Sequence, residues 1–96
     1  MEIRVTNESF IEMAKKAVAD HANENKENQH AAISEKNVRL VWNACILGNM
    51  KAMLTTTKRD GMYYEITYNA QKNEVYFDAY KKTENKKLGF EHQEES

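Results

Sequence analysis

Metal and nucleophile chemistry needs particular side chains within reach of one another, so the rare reactive residues come first. The histidines are His21, His30 and His92, and no two of them have metal-ligand spacing. Cys45 is the single cysteine. With no second cysteine and no adjacent base to lower its pKa, it reads as a small half-buried residue. The three glycines, Gly48, Gly61 and Gly89, are isolated turn residues and make no phosphate-cradling loop. Glu65 and Asp78 have the residue types of an acid–base pair. Both fall on outward strand positions, and a surface salt-bridge lattice with Lys51 and Lys81 is the simpler reading. No catalytic residue, metal or cofactor is expected, and the chain reads as non-enzymatic.

One set of residues stands above that background. Tyr63, Tyr76 and Tyr80 fall on the solvated side of their strands by alternation, with Lys51, Lys58 and Arg59 in the same region. Tyrosine and arginine dominate the energetics of protein interfaces. The same mixture of aromatic and basic groups can stack single-stranded bases. Against both stands the plain fact that tyrosine is a good strand former whose hydroxyl is content at a surface.

These residues must be positioned by secondary structure. Asn7 to His21 has apolar residues at Phe10, Ile11, Met13, Ala14, Ala17 and Val18, the spacing of one buried helical face. Thr6 or Asn7 can cap this helix, and Ser9 with Glu12 is a competing capping box. Residues 23–30 are polar and asparagine-rich, a loop. Residues 38–47 fit two periods. As a helix, Val38, Val41, Trp42, Cys45 and Ile46 share a face. As a strand, Val38, Leu40, Trp42, Ala44 and Ile46 alternate to one side, with Arg39, Asn43 and Cys45 on the other. The β-branched and aromatic content favours the strand. Gly48-Asn49 is then expected to close a two-residue hairpin into Met50–Thr57.

Asp60-Gly61 signals the next hairpin, into Met62–Asn69, and residues 70–73 join that strand to Glu74–Tyr80. Met62, Tyr64, Ile66 and Tyr68 alternate against Tyr63, Glu65 and Thr67. Val75, Phe77 and Ala79 alternate against Tyr76, Asp78 and Tyr80. Each strand is therefore expected to bury one face. The predicted fold is α+β, an N-terminal helix packed on a four-stranded antiparallel β-meander. One domain is expected over residues 1–90, with 91–96 an acidic tail.

Composition sets the outer bounds. The chain has 96 residues, is 41% hydrophobic and 30% charged, and contains no proline. That is enough for one domain. Residues 38–90 carry a net +4 and the whole chain −1, well short of the basic stripe of a strong nucleic-acid binder. There is no apolar run long enough for a membrane span and no signal-like N-terminus. A single cysteine suits a reducing compartment, so a cytoplasmic location is expected.

The run VWNACILGNMKAMLTTTKRDGMYYEITYNAQKNEVYFDAYKK carries a resemblance. Its cues are Val41-Trp42, the Lys51–Thr56 strand, the DGMYYE of Asp60–Glu65, Tyr68-Asn69 and Asp78-Ala79-Tyr80-Lys81-Lys82. The helix with SFIEMAKK matches as well, so that residues 5–82 are covered. In these features the chain resembles a family of small bacteriophage and prophage proteins of unknown function from Gram-positive hosts. Gly48-Asn49-Met50 departs from the small residues usual there at the first hairpin. The resemblance implies a phage origin and the strand reading of residues 38–47, and it assigns no catalytic residue. The expected function is a non-enzymatic phage accessory protein that binds a protein, a host or defence factor. The alternative is a weak single-stranded nucleic-acid binder using Tyr63, Tyr76, Tyr80, Lys51 and Arg59. A third reading is a homodimer formed through an exposed edge strand.

Overall fold

The computed structural model describes residues 5–24 and 32–90. Helix α1 spans Asn7–Glu24, followed by a 3-10 turn at Glu35–Asn37 and strands β1 (Val38–Ile46), β2 (Asn49–Thr56), β3 (Met62–Asn69) and β4 (Glu74–Lys81). The strands form one antiparallel sheet in the order β1-β2-β3-β4, and α1 packs on one side of it. The expected α+β fold is what forms, and residues 38–46 are strand. The expected tail at 91–96, most of the 23–30 loop, and His30 and His92 lie outside the described residues.

Helix α1 starts at Thr6. Its Oγ1 accepts from Ser9 N–H at 3.0 Å while Thr6 N–H donates to Ser9 Oγ at 3.0 Å, a reciprocal cap that satisfies two otherwise free donors. Serine, not Glu12, completes the box. The helix runs three residues beyond His21, because its last turn has partners. The Lys58 ammonium donates to Ala22 O at 2.9 Å, and the Asn23 side chain clamps Ile33 by two bonds of 2.7 and 2.8 Å. Phe10, Ala14, Val18 and Ala22 form the buried stripe at four-residue steps, with Ala19 beside it. Three of these five are alanines, so the helix backbone can approach the sheet closely.

The strand registers place inner-face residues in rows across the sheet: Leu40–Leu54–Tyr64–Ala79, Asn43–Ala52–Ile66–Phe77 and Cys45–Met50–Tyr68–Val75. In every row the two middle residues are buried and the two at the ends are not. The helix lies over β2 and reaches β1 and β3 on either side; apart from the buried Val38 at the start of β1, the inner-face residues of the two outer strands stay exposed or half-buried. One buried face per strand therefore holds for the middle pair alone. The Val75, Phe77 and Ala79 row faces the expected side but stays exposed.

The register of β1 on β2 shifts between Leu40 and Trp42, which leaves Val41 as an extra residue. This β-bulge inverts the alternation of everything after it. Val38 and Leu40 face the helix as expected. Trp42, Ala44 and Ile46 do not, and face the opposite side with Met53, Lys51 and Asn49. Asn43 and Cys45 turn toward the helix, while Arg39, ahead of the bulge, stays on the outer face. Cys45 is exposed, not half-buried. The inversion has a use: Asn43 exchanges side-chain hydrogen bonds of 2.8 and 3.4 Å with Asn7 in the first turn of α1.

The first hairpin also differs from expectation. Ile46 pairs with Asn49, so its two loop residues are Leu47 and Gly48, not Gly48 and Asn49. Both have positive φ, +53° and +83°, the requirement of a type I′ turn. Asn49, in the strand, uses its Oδ1 to accept from Ala70 N–H at 2.9 Å. Leucine in the left-handed region costs roughly 1–2 kcal/mol. Leu47→Asn restores the residue preferred there, and is expected to raise stability by about 1 kcal/mol, read as a higher urea midpoint at unchanged slope.

Candidate functional site

Among the described residues only one side of the sheet is covered, which leaves the other side a four-strand surface. Two rows cross it: Trp42–Met53–Glu65–Asp78 and Ala44–Lys51–Thr67–Tyr76. Tyr63 and Tyr80 lie opposite each other at one end, and Asn69 lies opposite Glu74 at the other. Two of the three expected tyrosines are thus direct cross-strand neighbours. Tyr76 stands on the same face two pairs away, and Lys51 joins its row through Thr67. Arg59 is exposed in the connection at residues 57–61, outside the strands.

Two of the cationic groups on or beside this tyrosine cluster have partners within the chain. Lys51 Nζ lies 3.5 Å from Glu65 Oε1. Lys82 Nζ stands over the Tyr63 ring, 5.7 Å from its centre. Carboxylates interleave with the aromatics: Glu65 and Asp78 are directly opposite, and the Tyr76 hydroxyl donates to Glu74. That hydrogen bond, with some desolvation and the Glu74 charge behind it, raises the Tyr76 pKa. Of the expected lysine lattice only Lys51 is present. Lys81 pairs with Met62 and so faces the helix side.

At the β1 end the same face is apolar. Trp42, Ala44 and Ile46 line a shallow depression of about 320 Å³ with Met50, Lys51 and Thr67. Ile46 is 68% exposed, Leu47 at the tip is 95% exposed, and Trp42 is 40% exposed. Sequence reasoning missed these three as surface residues because strict alternation sends Trp42 and Ile46 inward. One signal was available: the apolar run Cys45-Ile46-Leu47 continues into the turn, where a buried strand would already be polar.

On the covered side an aromatic cluster closes the C-terminal end of α1. The His21 ring sits 5.4 Å from Tyr64 and 5.2 Å from Phe77, with Tyr64 and Phe77 5.7 Å apart. His21 therefore packs as an aromatic. Among the described residues, no group of three or more His, Cys, Asp or Glu side chains is placed to hold a metal ion, and no helix is long and apolar enough to cross a membrane.

The arrangement defines an α+β protein with one helix on one face of a four-stranded antiparallel sheet and a bare, aromatic second face. Residues 11–89 match a family of unknown function, DUF6275, and the chain belongs to that family. This bears out the expected membership of a family without assigned activity; the match itself says nothing of phage or host. No curated protein and no solved structure matches the chain.

Burial pushes the Tyr64 pKa above its ordinary 10.0, and the Asp60 charge adds in the same direction. The folded chain then holds this proton to higher pH than the unfolded chain does. The resulting stability is complete below about pH 10 and is lost as pH rises from there through the raised value. Tyr64→Phe keeps the buried ring and removes the titrating group. Urea midpoints measured from neutral to alkaline pH should fall less steeply above about pH 10 in Tyr64→Phe than in the natural chain.

Proposed function

We propose that this is a non-catalytic binding protein whose bare sheet face docks a protein partner. The observation that carries the reading is Leu47. A bulky apolar residue is held in a strained left-handed turn at 95% exposure. Such a position lowers both stability and solubility, and a functional contact is the usual reason for keeping one. Ile46, Trp42 and Ala44 continue the apolar surface from that tip across the face, and Tyr63, Tyr76 and Tyr80 extend it beyond Lys51 and Glu65. An apolar anchor flanked by aromatic and polar groups is the anatomy of a protein interface. The carboxylates Glu65, Glu74 and Asp78 among the tyrosines favour a protein over a nucleic acid, whose phosphates they would repel.

The phage source, the cytoplasm of a Gram-positive host as the place of action, and a host or defence factor as the partner belong to the same proposal. Their support is the sequence resemblance over residues 5–82. Phage genes on either side of the coding sequence are the expected genomic context, and a housekeeping operon there would remove that part of the reading.

For the interface itself, immobilised natural chain is exposed to host lysate beside Leu47→Asn, Trp42→Ala and the Tyr76→Ala, Tyr80→Ala pair. A stoichiometric protein retained by the natural chain and lost by about tenfold or more from the Trp42 and Leu47 variants is expected, as for interface anchors. Equal recovery on all four, or none on any, contradicts the assigned face. Salt-sensitive retention of a labelled single-stranded oligonucleotide, abolished by the tyrosine pair, would establish the alternative instead.

A further inference from the structure

The sheet has two edges, and they are built differently. β1 carries the bulge at Val41, a feature that twists and interrupts an edge. β4 carries nothing of the kind. It runs eight residues in unbroken register with β3, without proline, and every residue in it is exposed. Its backbone polarity follows from one bond. Lys82 N–H donates to Gly61 O at 2.7 Å, continuing the Met62–Lys81 register by one step. Even-numbered residues of β4 therefore turn their N–H and C=O groups toward β3. Val75, Phe77, Ala79 and Lys81 turn theirs outward, to a free edge.

We propose that β4 is a self-association site, at which two copies of this chain pair edge to edge into one eight-stranded antiparallel sheet. The occupant is identified by how the strand matches itself. A two-fold axis perpendicular to the sheet keeps the helix-side rows together, so only odd residues face odd and even face even. With the axis at Phe77, the two Phe77 side chains meet, and Val75 lies opposite Ala79 of the second copy. On the other face, Glu74 lies opposite Tyr80 and Asp78 opposite Tyr76, so each carboxylate meets a phenol hydroxyl and no like charges oppose. The outward groups of Val75, Phe77 and Ala79 then supply six inter-chain N–H···O bonds, by the pairing rule for antiparallel strands. Moving the axis one residue, to Asp78, sets two carboxylates face to face and puts Lys81 against Val75, which disfavours it.

The helices leave room for this pairing. α1 lies over β2 and leans toward β1, away from β4, which it meets through the His21 ring on Phe77. Two copies would join with the exposed Val75, Phe77 and Ala79 rows side by side between the two helices, covering apolar surface that one copy leaves open. The contact is a single strand pair, smaller than the about 1,600 Å² of a standard interface. The dimer is accordingly concentration-dependent.

Sedimentation equilibrium of the full chain over a range of concentrations tests it. The expected mass rises from 11.2 kDa to twice that value. Ala79→Pro removes an outward N–H and no bond to β3, so it should keep the circular dichroism spectrum and lose the dimer. Cysteine pairs fix the register independently, in a Cys45→Ser background. A mixture of Tyr76→Cys and Asp78→Cys chains should oxidise to the mixed disulfide dimer, and Asp78→Cys alone should not. A monomer at every concentration overturns the proposal, whether or not a foreign strand is later found on this edge. So does a dimer that survives in folded Ala79→Pro, or a disulfide dimer from Asp78→Cys alone.

Discussion

A helix is about 10 Å across and strands lie about 4.8 Å apart, so one helix shields roughly two strands. The described residues form one long helix and four strands, and that mismatch governs the rest of the molecule. The core is centred on the middle of the sheet, where Ala52, Leu54, Tyr64 and Ile66 meet Phe10, Ala14 and Val18, and it takes in Val38 at the start of β1. Each row of inner-face residues fades from buried to exposed within one strand spacing on either side. One whole face and two margins remain for other uses. In a protein of this size, where folding itself leaves little surplus, that much uncovered apolar and aromatic surface is a large share of the molecule.

The mismatch also explains which parts of the fold could be read from residue order. Alternation is decisive in β2 and β3, because those strands really do have one dry and one wet side. Tyr64 against Tyr63, and Ile66 against Glu65, fall as their chemistry demands. In β4 the pattern reports the face correctly and the burial wrongly, since Val75 and Phe77 alternate as a core row would. Nothing in β4 itself says that the helix stops short. In β1 the pattern misleads, because one added residue at Val41 exchanges the two faces, and no glycine or proline marks the place. The helix boundary was missed for a related reason: its last turn rests on Lys58 and Ile33, which are distant in sequence.

The candidate surface was legible to a similar extent. Tyr63, Tyr76 and Tyr80 share the open face because β3 and β4 obey simple parity. Lys51 belongs to it too, but as the ion-pair partner of Glu65. Arg59 belongs to a turn. The apolar half of the surface, Trp42 with Ile46 and Leu47, was hidden by the bulge and by a hairpin shifted one residue toward the N-terminus. What distinguishes Leu47 is a backbone angle, and no composition or spacing announces that. The face is consequently asymmetric, greasy at the first hairpin and phenolic and acidic at the last strand, and a partner that fits it must be asymmetric in the same sense.

The Asn23 clamp on Ile33 has a further bearing on how such a chain can vary. Two short hydrogen bonds fasten the exit of α1 to the approach of β1. Loop-closure entropy grows only logarithmically, about 0.6 kcal/mol for each doubling in length. With the two ends fixed to each other by the clamp, a change in the number of residues between Asn23 and Ile33 costs little, and the corner where helix meets sheet keeps its geometry.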